Sequence, residues 1–317
     1  MAKILVTGAA GFIGSHTTDC LLAEGHAVVG VDNFRTGRRE NLAAALRSPA
    51  FSLQERDVAE PGTLAALVAA QKPDAIIHLA ALVSVQESIA NPALNFSLNV
   101  QASQLVAEAA RLHGVGRVVF ASSAAIYGDA AERPVRESAE KRPLSPYGAA
   151  KAASEIMLLG HAAAYGFTVR CQRYFNVFGP RQNPSSPYSG VISIFARSYG
   201  EGKAVTIFGD GRQTRDFIAV ADVARANVLA ATRPGLTSGA ANICTGRATS
   251  LLDLAEAFAA FHPGVVSPAH RPARAGDIVH SLGDPAAATA ALDFTARVSV
   301  ADGLAELING PRVPALS

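Results

Sequence analysis

Residues 3–14 read K-I-L-V-T-G-A-A-G-F-I-G. The run Lys3–Thr7 is short, β-branched and apolar, which predicts a strand buried on both faces. Gly8, Gly11 and Gly14 follow at G-x-x-G-x-x-G spacing and open the helix predicted over Phe12–Glu24. In a strand–turn–helix unit such glycines permit a tight turn, close approach of backbone to a pyrophosphate, and close helix–strand packing. The phosphates then sit at the helix's positive end. A second predicted strand, Ala27–Asp32, ends in a carboxylate that can accept a ribose 2′-hydroxyl and would repel a 2′-phosphate. The stretch therefore predicts NAD, with contacts from Gly8, Gly11, Phe12, Ile13, Gly14, Asp32 and Asn33. Arg35 nearby is the residue that could instead accommodate a phosphate.

Working outward, further strands are expected at Phe51–Glu55, Ala75–Leu79, Arg117–Ala121 and Thr168–Arg173. Helices are expected at Arg38–Leu46, Gly62–Ala70, Pro92–His113 and Pro146–Tyr165. This β-α-β rhythm predicts an α/β fold, a doubly wound parallel sheet of Rossmann type. Asp57 and Val58, at the end of the third strand, would lie beside the adenine. Leu79, Ala80 and Ala81 end the fourth, where a dinucleotide passes close to backbone. His78 at that strand's end reads as a packed neutral side chain rather than a catalyst. After Phe175 the rhythm breaks in the Pro/Ser-rich run Gly179–Pro187, which reads as a loop. Helices over Ile192–Gly200, Ala221–Thr232, Leu251–Phe261 and Val300–Leu307, with strands over Ala204–Ile207 and Asn242–Cys244, suggest a smaller C-terminal lobe at the sheet's carboxyl edge. The expected division is a dinucleotide domain over 1–175 and a substrate lobe over 176–317, with some segments after 205 returning to the first domain.

The 317 residues carry 28 Lys+Arg against 26 Asp+Glu, a net charge of +2 with no basic cluster, which argues against nucleic acid as a partner. No stretch approaches the roughly 20 apolar residues that span a bilayer, so no membrane is expected. Cys20, Cys171 and Cys244 show neither disulfide nor metal spacing, which fits reduced thiols, a cytoplasmic setting and no bound metal.

The chemistry concentrates in F-A-S-S-A-A-I-Y-G (120–128) and S-P-Y-G-A-A-K (145–151). Tyr147 and Lys151 stand at i and i+4, on one helical face. An ammonium there can favour the phenolate and bring a phenol of reference pKa about 10 toward neutrality, making a proton-transfer catalyst.

Together with D-N-F-R-T-G (32–37), H-L-A-A (78–81), Asn99, R-Y-F-N-V-F-G-P-R-Q (173–182), T-R-D-F (214–217) and A-G-D-I (275–278), these motifs resemble the extended short-chain dehydrogenase/reductase family. Within it they resemble the nucleotide-sugar 4-epimerases of the UDP-glucose/UDP-N-acetylglucosamine type. The resemblance implies that Tyr147 is the acid and base, and that Lys151 binds the nicotinamide ribose. Ser123 would hold the substrate hydroxyl, and Asn99 and Tyr174 would join the cofactor contacts. It further implies a UDP-sugar gripped by Asn176, Arg215 and Arg274, whose planar guanidiniums suit phosphate oxygens. Ser84 would add a polar contact. Ser281 would line the pocket near the sugar's C2 substituent, its small side chain admitting an N-acetyl group. Dehydratase and decarboxylase relatives carry a carboxylate directly after the active-site hydroxyl residue, where this chain has Ala124-Ala125. That favours epimerisation over elimination. Other 4-epimerases, acting on uronates or deoxysugars, and 4-keto reductases are the alternatives. The family also implies a homodimer built on the segments Pro92–His113 and Pro146–Tyr165.

Overall fold

The structure is a computed structural model, and it describes residues 1–182, 190–262, 264, 267–273 and 278–309. Strands β1 (Lys3–Thr7), β2 (Ala27–Asp32), β3 (Phe51–Glu55), β4 (Ala75–His78), β5 (Arg117–Ser123) and β6 (Thr168–Tyr174) run parallel. With a later strand, numbered β11 below, they form a seven-stranded sheet in the order β11-β6-β5-β4-β1-β2-β3. This is the doubly wound Rossmann-type fold, its order reversing between β1 and β4, where such sheets open a ligand crevice. Ile4, Leu5, Val6, Ile76, Ile77, Val118 and Val119 are wholly buried between the two helical layers. Their lack of alternation follows from burial on both faces.

On these strands ride α1 (Phe12–Ala23), α2 (Thr63–Gln71), α3 (Val85–Ala90), α4 (Pro92–Asn95), α5 (Ala102–His113) and α6 (Pro146–Tyr165). Two expected helices differ. Residues 38–46 form two 3₁₀ turns, Arg39–Leu42 and Ala45–Arg47. Leu42, which ends the first turn, and Ala45, which begins the second, both bury against Ala10. The stretch Pro92–His113 is helical throughout but widens to a π-helix at Phe96–Gln101. There the Asn99 carbonyl accepts from the Ser103 hydroxyl (2.6 Å) and the Ser154 hydroxyl of α6 (3.3 Å).

The C-terminal part contains β7 (Asn176–Phe178), α7 (Val191–Gly200), β8 (Thr206–Phe208), β9 (Thr214–Arg215), β10 (Phe217–Ala219) and α8 (Val220–Thr232). It continues with β11 (Gly239–Ile243), β12 (Thr249–Ser250), α9 (Leu251–Ala259), β13 (Ala269–Arg271), β14 (His280–Ser281), α10 (Ala286–Leu292) and α11 (Val300–Asn309). Two parts of it return to the main body: β11 pairs with β6, and α8 lies against α1. The remainder has its own core, in which Phe178, Phe195, Phe217, Leu254, Phe258 and Leu304 meet. Among the described residues, no helix is long and apolar enough to cross a membrane.

Candidate active site

The cleft lies at the carboxyl ends of β1, β2, β4, β5 and β6 and has a volume of about 510 Å³. The β1–α1 turn forms its floor. A side chain at Gly14 would place its Cβ 2.0 Å from the Gly8 carbonyl oxygen, so only glycine lets α1 start this close to the turn. Gly8 itself has φ +70° and abuts the backbone of Ala80. Gly11 begins α1 with no side-chain cap, which leaves the first helical N–H groups for a ligand. At the far wall both oxygens of the Asp32 carboxylate accept backbone N–H groups, from Ala10 (2.9 Å) and Phe34 (2.8 Å). These bonds pull its pKa down, but burial pushes it up and prevails. Asn33 donates to Asp57 (2.9 Å), and Val58, Leu79, Ala80 and Ala81 complete the lining there. A bare turn, an uncapped helix start and a fixed carboxylate form a donor and acceptor set that fits a dinucleotide.

Ser123, Tyr147 and Lys151 meet at the other end of the cleft. Ser145 caps α6 by accepting from Gly148 N–H (3.2 Å), and Pro146 occupies the first turn. Gly148 allows that first turn to approach the 3₁₀ turn Ala124–Tyr127 after β5, since a Cβ there would lie 2.6 Å from the Ala125 carbonyl oxygen. The Tyr147 and Ser123 side chains are hydrogen-bonded, and Ser123 also caps the turn Ala124–Tyr127 through Ala125 N–H (3.1 Å). Lys151 is 3 % exposed, and its ammonium donates to the Ala121 carbonyl (2.8 Å).

The electrostatics differ from the sequence expectation. Tyr147 and Lys151 share a face, but Nζ lies 5.9 Å from the centre of the tyrosine ring and bonds to backbone instead. In the ligand-free protein burial raises the phenol's pKa, with the Ser123 hydrogen bond opposing it, while burial lowers that of Lys151 to about 7. A free lysine titrates near 10.4, so between about pH 7 and 10 the unfolded chain holds the proton that the folded chain has lost. Stability then increases with pH across that window. The melting temperature of the ligand-free protein, minus that of Lys151→Met, should rise from pH 7 to pH 10; a flat difference would contradict this environment.

The other residues sort as follows. Tyr174 lines the cleft, but its hydroxyl donates to Asn227 (2.7 Å), and burial raises its pKa. Asn99 is 2 % exposed and donates to Leu82 O (3.0 Å) and Asn95 (2.8 Å), leaving its own Oδ1 without a partner among the described residues. His78 is buried, bonded to Thr7 (2.8 Å) and lowered by burial to about 3, so it is the packed neutral histidine expected. Ser84 lies behind the cleft wall with its oxygen committed to capping α3 through Glu87 N–H (3.0 Å). Asn176 donates to Asp216 O (3.2 Å) in the lobe. Arg215 and Ser281 stand directly opposite each other on β9 and β14. Arg274, and the A-G-D-I run apart from Ile278, lie outside the described residues, as does the loop from 183 to 187.

Sequence reasoning assigned no role to Ser122, whose buried hydroxyl lines the cleft with no partner among the described residues, nor to Arg181. Arg181 reaches the cleft beside α1, where it pairs with Asp19 (2.7 Å), and the adjacent Pro180 carbonyl meets His16 (3.0 Å). Proline and glycine marked that segment as a loop but did not say where it returns.

The fold and this cleft define a nicotinamide-dinucleotide enzyme with a Ser–Tyr–Lys centre. Comparison with known proteins narrows the class. A model of the NAD dependent epimerase/dehydratase family matches residues 4–244. The UDP-glucose 4-epimerase of Mycolicibacterium smegmatis is 39% identical over 310 residues, covering 96% of this chain and 97% of that protein. Among solved structures, the UDP-glucose 4-epimerase of Thermotoga maritima with UDP-glucose superposes with a TM-score of 0.90 at 35% identity, over 97% of this chain and 98% of that one. The UDP-N-acetylglucosamine 4-epimerase of Methanobrevibacter ruminantium, in complex with UDP-N-acetylmuramic acid, gives 0.92 at 34%, over 98% and 97%. The chain belongs to the NAD-dependent epimerase/dehydratase family, as an enzyme of the nucleotide-sugar 4-epimerase type, and its cofactor is NAD.

Proposed function

We propose that this enzyme interconverts UDP-hexoses differing in configuration at C4, both UDP-glucose with UDP-galactose and their N-acetylated counterparts, through a transient 4-keto sugar. The observation that carries this reading is the Ser123–Tyr147–Lys151 centre lining the cleft, with Ala124-Ala125 after Ser123, where a dehydratase would need a carboxylate. NAD supplies a reversible hydride acceptor for C4. Tyr147 takes the 4-hydroxyl proton as that carbon is oxidised and returns it as the alcohol re-forms. Ser123 holds the same oxygen, and Lys151 binds the cofactor's ribose and contributes positive charge beside the phenol. Asn176, Arg215 and Arg274 grip the diphosphate, so the keto sugar turns over while tethered.

Ser281 supports acceptance of an N-acetyl group, because its side chain leaves room beside C2. The relative named UDP-N-acetylglucosamine 4-epimerase supports the same breadth. Incubating the protein separately with UDP-glucose, UDP-N-acetylglucosamine and UDP-glucuronate, then resolving the products, should give epimers of the first two. Brisk turnover of UDP-glucose with none of UDP-N-acetylglucosamine would sink the Ser281 argument. The exposed apolar residues Phe96, Leu112, Ile156 and Tyr165, on and beside α5 and α6, support a homodimer. Sedimentation should give twice the 32.7 kDa chain mass, and Ile156→Glu should shift it to the monomer.

A further inference from the structure

Behind the catalytic residues lies a polar cluster that the mechanism above does not use. Arg173 and Glu155 form an ion pair whose side chains are 3% and 1% exposed. The carboxylate receives Nε at 2.9 Å and Nη2 at 2.8 Å, the bidentate fork. The remaining nitrogen, Nη1, donates to the Tyr127 hydroxyl (2.8 Å) and the Glu137 carbonyl (2.9 Å). Tyr127 in turn donates to Asn242 of β11 (2.6 Å), whose amide donates to the Val135 carbonyl (2.9 Å).

The partners come from the segments that carry the trio. Glu155 is one turn beyond Lys151 on α6. Tyr127 ends the short turn that Ser123 begins, and Arg173 pairs in register with Ser122 on β5. One guanidinium therefore ties the strand and turn bearing Ser123 to the helix bearing Tyr147 and Lys151. A buried ion pair adds little net stability over an apolar pair of the same volume. Its directional bonds do fix a geometry that apolar packing leaves free to slide. We propose that Arg173, acting through Glu155 and Tyr127, is a positioning residue that sets the distance between Ser123 and the Tyr147 hydroxyl. The proposal rests on the epimerase reading, and it is tested only against the parent enzyme's own turnover of UDP-glucose, so failure of that reading would show first in the parent.

The double variant Glu155→Leu/Arg173→Met replaces the tie with apolar volume. It should keep its NAD and melt within about 4 °C of the parent. Its kcat should fall about 100-fold with KM nearly unchanged, the loss expected for reacting groups about 1 Å out of place. Tyr127→Phe deletes one hydroxyl and keeps the ring, so it provides a variant that folds whatever the fate of the double change. It should lower kcat roughly tenfold, again without raising KM. Parental kcat in either folded variant, or a loss confined to KM, would overturn the proposal.

Discussion

Tyr147→Phe should lower kcat on UDP-glucose by about 10³-fold or more while leaving KM, bound NAD and the fold in place. The reasoning begins with what the substitution removes. Phenylalanine keeps the ring, which is half-buried at the cleft, and loses only the hydroxyl facing Ser123. The main-chain N–H of Tyr147 still donates to the Ser88 hydroxyl (3.2 Å), and Ser123 keeps its bond with Ala125 N–H. Stability should change by less than about 1 kcal/mol, because Ser123 retains one partner. The 4-hydroxyl proton then has no acceptor in position. His78 is uncharged and buried at the end of β4 between Thr7 and Phe120, and Lys151 is bonded to the Ala121 carbonyl. Near-parental kcat in the phenylalanine variant would remove Tyr147 from the chemistry.

Gly14→Ala should be the most damaging single change in the cofactor half. Its new methyl group would meet the Gly8 carbonyl oxygen at 2.0 Å, the Gly8 carbonyl carbon at 2.8 Å and Ala9 Cα at 3.0 Å, all main-chain atoms that cannot rotate away. The helix must move off the turn, which costs about 4 kcal/mol or more and spoils the cradle for the pyrophosphate. The expected result is a melting temperature lowered by roughly 10 °C and loss of NAD on gel filtration. Gly160→Ala is the control. It sits within α6 with open space around it, so alanine should stabilise the helix by about 0.5–1 kcal/mol. If Gly14→Ala retained stoichiometric NAD, the account of the turn would fail.

The inner strands of the central sheet were legible because they are buried on both faces, which leaves continuous apolar runs between punctuating glycines. Lys3–Thr7 and Ala27–Asp32 match residue for residue, as does the edge strand Phe51–Glu55, which is only partly buried. The glycine turn and the Tyr147/Lys151 spacing were legible for a similar reason, since each depends on neighbours in the chain. What escaped depends on distant partners. The π turn at Asn99 involves Ser154 on another helix, and β14 is a strand only by pairing with β9, some 66 residues earlier in sequence. The Ser84 oxygen was spoken for by α3, a helix too short to leave a periodic signal. The burial that raises the Tyr147 phenol and lowers Lys151 in the ligand-free protein was not legible either, because i,i+4 spacing fixes the face and not the depth of burial.

The central claim is that C4 is inverted by removal and return of its own hydrogen as hydride, with Tyr147 moving only the hydroxyl proton. Epimerising UDP-glucose in D₂O and locating deuterium in the UDP-galactose by mass spectrometry and NMR tests this directly. The account predicts full conversion to the equilibrium mixture with no deuterium at C4. Deuterium at C4 would show that the carbon exchanges a proton with solvent, and would contradict it.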